Sequence, residues 1–242
     1  MRLDKILSDA GHGSRKDAHN FIRGGRVAVD GAILRNPSSH IDPAVQTVFL
    51  DGEDIDWQPA YTLIMHKPPG VVSSTDEPGE TTVIDLLPLR FRRLGLFPAG
   101  RLDKDTTGLL ILTNDGALAH RLTAPAHHVT KRYLAVVDGA LRPEHVLRFA
   151  KGITLADGTL CKPAGLEIVR ASETSEAVVT LREGKYHQVR RMMASCGCPV
   201  LSLHRASIGA LTLENLPEPG TWRKLTNSEI STLLCQTDLS NL

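Results

Sequence analysis

Apolar residues along the chain fall into two spacings, and the switches between them mark out the elements. Leu3, Ile6 and Leu7 keep helical spacing until Gly11. Ser14 precedes RKDAHNFIR with Asp17 three residues on, a capping-box arrangement, and Gly24–Gly25 closes that second helix. RVAVDGAIL then alternates with period two and turns at Asp30–Gly31, which predicts a small hairpin. Beyond residue 60 the periods interleave. YTLIMHK reads as a strand ending in Pro-Pro-Gly, and TTVIDLL as a short helix capped by Thr81 or Thr82. GLLILTND is a buried strand, and GALAHRLTA a helix with Leu118 and Leu122 on one face. KRYLAVVDG is a strand, and PEHVLRFAKG a helix with Pro143 in its first turn. GLEIVRA and EAVVTLREG form a hairpin pair. HQVRRMMASCG is a helix ending at Gly197, with Val189, Met192, Met193 and Cys196 toward the core. VLSLHRASIGALTL supplies the last strands and NSEISTLLCQ a terminal helix. Strands separated by turns and irregular helices predict an α+β fold with a largely antiparallel mixed sheet, not a doubly wound one.

Charge sharpens this picture because it is uneven. The 242-residue chain has a formal net charge of only +1, with 23% charged residues, an ordinary globular composition. Residues 1–40 nevertheless carry seven basic residues against four acidic ones, while residues 41–60 carry five acids and no Lys or Arg. A basic module followed by an acidic connector predicts a boundary near residue 58, dividing the chain into 1–58 and 59–242. No run of eighteen apolar residues appears, so no membrane span is expected. MRLDKILSDAG carries acids and lacks an apolar signal core, so it reads as structure. Cys161, Cys196, Cys198 and Cys235 show no metal-ligand spacing and read as reduced thiols of a cytoplasmic protein.

Three clusters could carry chemistry, and each has a plain alternative. In GRLDKDTTGLLIL, Arg101 and Asp103 sit on a loop entering a strand, Thr106 and Thr107 can bond the loop backbone, and Gly108 permits a close approach. Asp103 is then a nucleophile or base, or simply a turn carboxylate bonding its own loop. In KRYLAVV, Lys131 and Tyr133 share one face of a strand, as a base-stacking platform or as half-buried core. In REGKYHQVRRMM, Arg182, Lys185, Arg190 and Arg191 gather near a turn and a helix N-terminus. They suit phosphate, or one arginine pairs with a carboxylate, or the face is merely solvated.

The first module, through RLDK, the Ser14–Arg15 pair and GRVAVDG at 25–31, resembles the S4 RNA-binding domain over about residues 1–48. That resemblance implies a binder of structured RNA, with Arg2, Lys5, Arg15, Lys16, Arg23 and Arg26 toward the backbone. The three clusters occur in the order GRLD–TGLL–LTNDG, K–Y–L, YHQVRRM and LHRASIGALTL. In this the chain is similar to the pseudouridine synthases of the RsuA type over nearly all of residues 60–225. By that resemblance Asp103 matches the essential aspartate, Tyr133 the tyrosine contacting the target base, Arg190 the basic residue paired with the aspartate, and Arg101 the arginine linked to extruding the nucleotide. Lys131, Lys185, His187, Gln188 and Arg191 are expected to help bind substrate, and Ile208 to line the base pocket. The implied reaction exchanges an N1–C1′ for a C5–C1′ bond in a flipped uridine and gains no atoms, so neither metal nor redox cofactor is expected. Pairing with Arg190 is expected to keep Asp103 anionic.

The LDKDTTG loop and the TAPAHHVTKRYL run lean toward family members acting on 16S rather than 23S rRNA, although Lys104 departs from the residue expected there. The expected partner is 16S rRNA or a small-subunit assembly intermediate, bound by a monomer. Two other classes remain open at this level. One is an S4-bearing ribosome-assembly factor without catalysis. The other is a hydrolase using Asp103 with His127 or His128.

Overall fold

The structure, a computed structural model, describes residues 1–124 and 129–238; His127 and His128 lie outside the described residues. It divides into two compact units, Met1–Tyr61 with Ile84–Leu96, and Thr62–Val83 with Phe97–Leu242.

In the first unit α1 (Leu3–Asp9) and α2 (Arg15–Arg23) precede a four-stranded antiparallel sheet. Its strands are β1 (Val27–Val29), β2 (Ala32–Ile33), β3 (Val48–Leu50) and β4 (Glu53–Asp54), in the order β2-β1-β3-β4. The capping box forms: the Asp17 amide donates to Ser14 Oγ at 3.2 Å and the Ser14 amide to Asp17 Oδ2 at 2.8 Å. Asp30 and Gly31 both take positive φ, 50° and 84°, as a two-residue hairpin turn of the primed kind requires. Leu3, Ile6, Leu7, Ala18, Ile22 and Val27 fill the core. A second segment joins this unit at α3 (Leu89–Arg92), where Arg90 donates to the carbonyls of Ala10 and Asp56 at 2.9 and 3.1 Å. The chain before it, 81–87, is a turn and not the expected helix. Thr82 is drawn into a bridge with Val72 and the Val83 amide donates to the Val72 carbonyl at 2.9 Å, so neither threonine caps a helix.

The second unit contains β5 (Thr62–Lys67), β6 (Phe97–Pro98), β7 (Thr107–Thr113), α4 (Gly116–Thr123), β8 (Lys131–Asp138) and α5 (Pro143–Lys151). It continues with β9 (Gly165–Arg170), β10 (Thr174–Leu181), α6 (Gln188–Ser195), β11 (Val200–Ile208), β12 (Leu211–Thr212), β13 (Trp222–Lys224) and α7 (Asn227–Asp238). The main strands run in the order β13-β5-β7-β11-β8-β10-β9, antiparallel except where β7 meets β11. This is the α+β, mostly antiparallel sheet that the patterning predicts. Two apolar cores form. Leu118, Leu122 and Leu233 pack with Ile64, Leu109 and Ile111, while Phe149, Val189, Met192 and Met193 pack with Tyr133, Val179 and Leu203. The parallel β7–β11 seam pairs Gly108 with Arg205, and Gly108 holds φ at +108°. A Cβ there would lie 2.3 Å from the Arg205 carbonyl oxygen, so only glycine permits this approach. Among the described residues no helix is long and apolar enough to cross a membrane.

Candidate active site

Asp103 stands on the loop that feeds β7, and that loop is fastened from underneath. Lys67, fully buried at the end of β5, donates from Nζ to the carbonyls of Pro68, Lys104 and Thr106 at 3.0, 3.0 and 2.9 Å. The Ser73 hydroxyl donates to the Leu102 carbonyl at 2.9 Å and accepts from the Leu102 amide at 3.1 Å. The Gly70 amide reaches the Lys104 carbonyl at 2.9 Å. KPPGVVS thus serves as the bracket of the carboxylate loop. Within the loop the Thr106 amide donates to the Asp103 carbonyl at 3.0 Å, and its hydroxyl lies 3.5 Å from Asp103 Oδ2. Thr107, expected to bond the loop backbone, instead pairs its hydroxyl with His204 Nδ1 at 2.9 Å.

Two side chains from the start of α6 meet the carboxylate. Arg190 Nε lies 3.4 Å from Asp103 Oδ2, and His187 Nε2 lies 3.3 Å from Oδ1. His187 holds a left-handed backbone conformation, φ 47°, which lets the chain reverse into the helix while its ring turns to Asp103. Gln188 fixes that entry: its Oε1 accepts from the Lys185 amide at 2.9 Å and its Nε2 donates to Glu183 at 2.7 Å. Tyr186, 76% exposed, stacks on the His187 ring with centroids 3.9 Å apart.

Asp103, Tyr186, His187 and Gln188 border a cavity of about 470 Å³, with Arg190 reaching the carboxylate from behind its wall. Tyr133 and Lys131 face it from β8, their neighbours Arg132 and Leu134 being exposed, as the period-two reading requires. Lys131 is buried, donating to the carbonyls of Val129 and Leu122 at 3.1 and 3.4 Å. Burial, and to a lesser degree Arg205, pushes its ammonium down to about 8. Burial also pulls Lys67 down to about 8, against the opposing pull of Asp105 and Asp103. Arg101 is an exposed residue at the cavity wall, and Lys185, His187 and Gln188 line it as well. Arg191 turns away and pairs with Asp157. Ile208 is 2% exposed in the core beneath α4 and α7 and is not part of the cavity wall, whereas Leu181, Val189 and Leu203 are. The side chains that sequence reasoning missed are Lys67, Arg205 and the exposed Tyr186. Only the last had a signal, an aromatic beside the basic cluster in a chain with 4% aromatics.

In the first unit, Arg2, Lys5, Arg15, Lys16 and Arg23 line a shallow groove of about 590 Å³ with His19 and Asn20. Arg2 and His19 both contact the buried Asp4, Arg2 first among the causes that hold its carboxyl well below the usual range. Arg26, also expected to face RNA, pairs with Asp51 and lies 4.5 Å over the Phe21 ring. Lys5 pairs with Asp9, while Arg15, Lys16 and Arg23 make no ion pair among the described residues.

Comparison with known proteins matches residues 61–195 to the RNA pseudouridylate synthase family and residues 1–46 to the S4 domain. An uncharacterized RNA pseudouridine synthase of Bacillus subtilis, YtzG, is 41% identical over 96% of this chain and 98% of its own length. The ribosomal small subunit pseudouridine synthase A of Escherichia coli is also 41% identical, over 97% of this chain and 100% of its own. A crystal structure of a pseudouridylate synthase superposes with a TM-score of 0.67 at 35% identity, covering 96% of this chain and 99% of that one. A carboxylate loop, its arginine partner and a tyrosine-walled cavity therefore stand on a shared fold, and the chain belongs to the RNA pseudouridine synthases, isomerases of uridine, with an S4 domain at its N-terminus.

Proposed function

We propose that this enzyme converts one specific uridine of 16S rRNA, of the uridine-516 type, to pseudouridine, with Asp103 as the catalytic carboxylate. The observation that carries the reading is Asp103 on a fastened loop at the cavity wall, with Arg190 and His187 at 3.4 and 3.3 Å. The target base leaves its stack and enters the cavity, where the Tyr133 ring offers a face to it. Arg101, exposed at the wall, occupies the space the base vacates. Asp103 then either attacks the sugar or base carbon or stabilises and deprotonates the sugar, while Arg190 compensates its charge. The glycosidic N1–C1′ bond breaks, the base turns, and C5 joins C1′. Lys131, Lys185, His187 and Gln188 position substrate, and the groove of Arg2, Lys5, Arg15, Lys16 and Arg23, with Arg26, docks structured RNA. Small-subunit rRNA is supported by the name of the E. coli relative, 41% identical over nearly full length.

Two experiments test this. Asp103→Asn should keep fold and RNA affinity while losing pseudouridine formation by roughly a thousandfold or more. Wild-type product from that variant overturns the assignment. Pseudouridine mapping of rRNA from cells lacking the protein should show one 16S position losing its modification; loss at a 23S position instead would redirect the substrate.

A further inference from the structure

Arg205 is paired across β11 with Tyr133 of β8 and with Gly108 of β7, so its side chain leaves the sheet on the side of the Tyr133 ring. It is 2% exposed, yet it borders the cavity together with Lys131. Its Nε donates to the Leu109 carbonyl at 2.7 Å, whereas Nη2 is buried without a hydrogen-bond partner among the described residues. Neither Arg205 nor Lys131 forms an ion pair with a carboxylate there, and Asp103 is already engaged by Arg190 and His187. A buried guanidinium nitrogen left without an acceptor forfeits its hydration with nothing in exchange. At a cavity wall such a cost is relieved when an acceptor arrives with the ligand.

The reaction generates that acceptor. Heterolysis of N1–C1′ leaves the electron pair on N1, delocalised over O2 and O4, while Asp103 either bonds to C1′ and is displaced again by C5, or takes a C2′ proton and returns it as the new bond forms. C5 then attacks C1′, N1 gains a proton and C5 gives one up, so nothing is added or lost. We infer that Arg205, with Lys131 beside it, binds a carbonyl oxygen of the uracil as it detaches and holds the anion while it turns. The inference rests on the reading of this cavity as the active site. An RNA phosphate could offer the same anionic oxygen, but the burial of Arg205 favours the base, which enters deepest.

The full-length protein should be assayed in single turnover on an rRNA fragment carrying either uridine or 5-fluorouridine at the target. Fluorine makes the detached base a weaker base, so it needs less help. Arg205→Met should slow uridine consumption about a hundredfold but 5-fluorouridine only about tenfold, Arg205→Lys falling between, with RNA affinity within about twofold. Equal losses on both substrates, or weakened RNA affinity at an unchanged rate, overturn the inference; the second result would mark a phosphate contact. Should Arg205→Met fail to fold by thermal melting, the wild type decides. 5-Nitrouracil, anionic at neutral pH, should bind at least about tenfold more tightly than uracil, and equal affinity refutes the role. Asp103→Asn in the same assay should be inactive on both substrates. Activity there would bring down the active-site reading itself, not the role of Arg205.

Discussion

The carboxylate loop and the basic groove of the first unit, the two regions proposed to meet RNA, are constructed in opposite ways. The Asp103 loop is tied at Leu102, Lys104 and Thr106, by Ser73, Lys67 and the Gly70 amide, and the carboxylate has named partners at 3.3 and 3.4 Å. In the groove, Arg15, Lys16 and Arg23 project from α2 without ion pairs among the described residues. Bond-making at C1′ depends on sub-ångström placement, so it is served by atoms whose freedom has already been removed. Docking on a phosphate backbone needs potential and reach, for which mobile, unpaired cations serve well.

The sharpest way to break the contrast is to loosen the loop. Lys67→Met removes a buried donor from three carbonyls, and stability should fall by about 3 kcal/mol, roughly 6–12 °C in melting temperature for a domain of this size. An unchanged melting curve would show that the loop is held by its other bonds alone. Next, Arg190→Ala should lower the single-turnover rate by roughly 10–100-fold with little change in RNA affinity, and Arg190→Lys by clearly less if charge compensation dominates. Equal losses would argue for a geometric role. A smaller effect concerns pH. Lys131 is charged below about 8 and neutral above it, because its folded-state value lies below the ordinary lysine value. The wild-type rate should therefore decline as pH rises through about 8, by up to about tenfold. Lys131→Arg should stay flat to higher pH, and an identical limb in that variant would exclude Lys131 as its source. The smallest effect belongs to the groove. Arg15→Ala with Lys16→Ala should weaken RNA binding several-fold and lower the slope of log affinity against log salt by roughly one to two, leaving the saturated rate unchanged. A changed saturated rate would erase the distinction between the two regions.

How far the sequence revealed these features follows from the reach of the forces involved. Local signals read cleanly: the Ser14 capping box, the Asp30–Gly31 turn and the alternation of Lys131 and Tyr133 depend on neighbours two to four residues away. Ordered motifs likewise brought Asp103 and Arg190 together before any geometry was known, and the structure places them 3.4 Å apart. What stayed hidden needed tertiary partners. TTVIDLL offers a threonine cap ahead of an apolar run, yet the bridge from Thr82 to Val72 holds it as a turn. Lys67 looked like the end of a strand, since nothing in KPPG announces that its ammonium closes on carbonyls 37 and 39 residues away. Arg205 sat in an apolar-looking run, and only the parallel seam at Gly108 buries it beside the cavity. Ile208, assigned to the pocket by the family resemblance, packs instead in the core with Ile64, Leu109 and Leu118, which no local pattern in β11 announces.

The fastening of the Asp103 loop has one more consequence. A carboxylate locked in place by Lys67 and Ser73 has little capacity to travel toward a poorly presented nucleotide. With Asp103 in its proposed role, the distortion needed for reaction falls on the RNA, and the enzyme acts as a fixed gauge into which a uridine either swings or does not. Selection among uridines then reflects how cheaply each can leave its helix or loop, a property of the transcript's local mechanics as much as of any side chain that touches it.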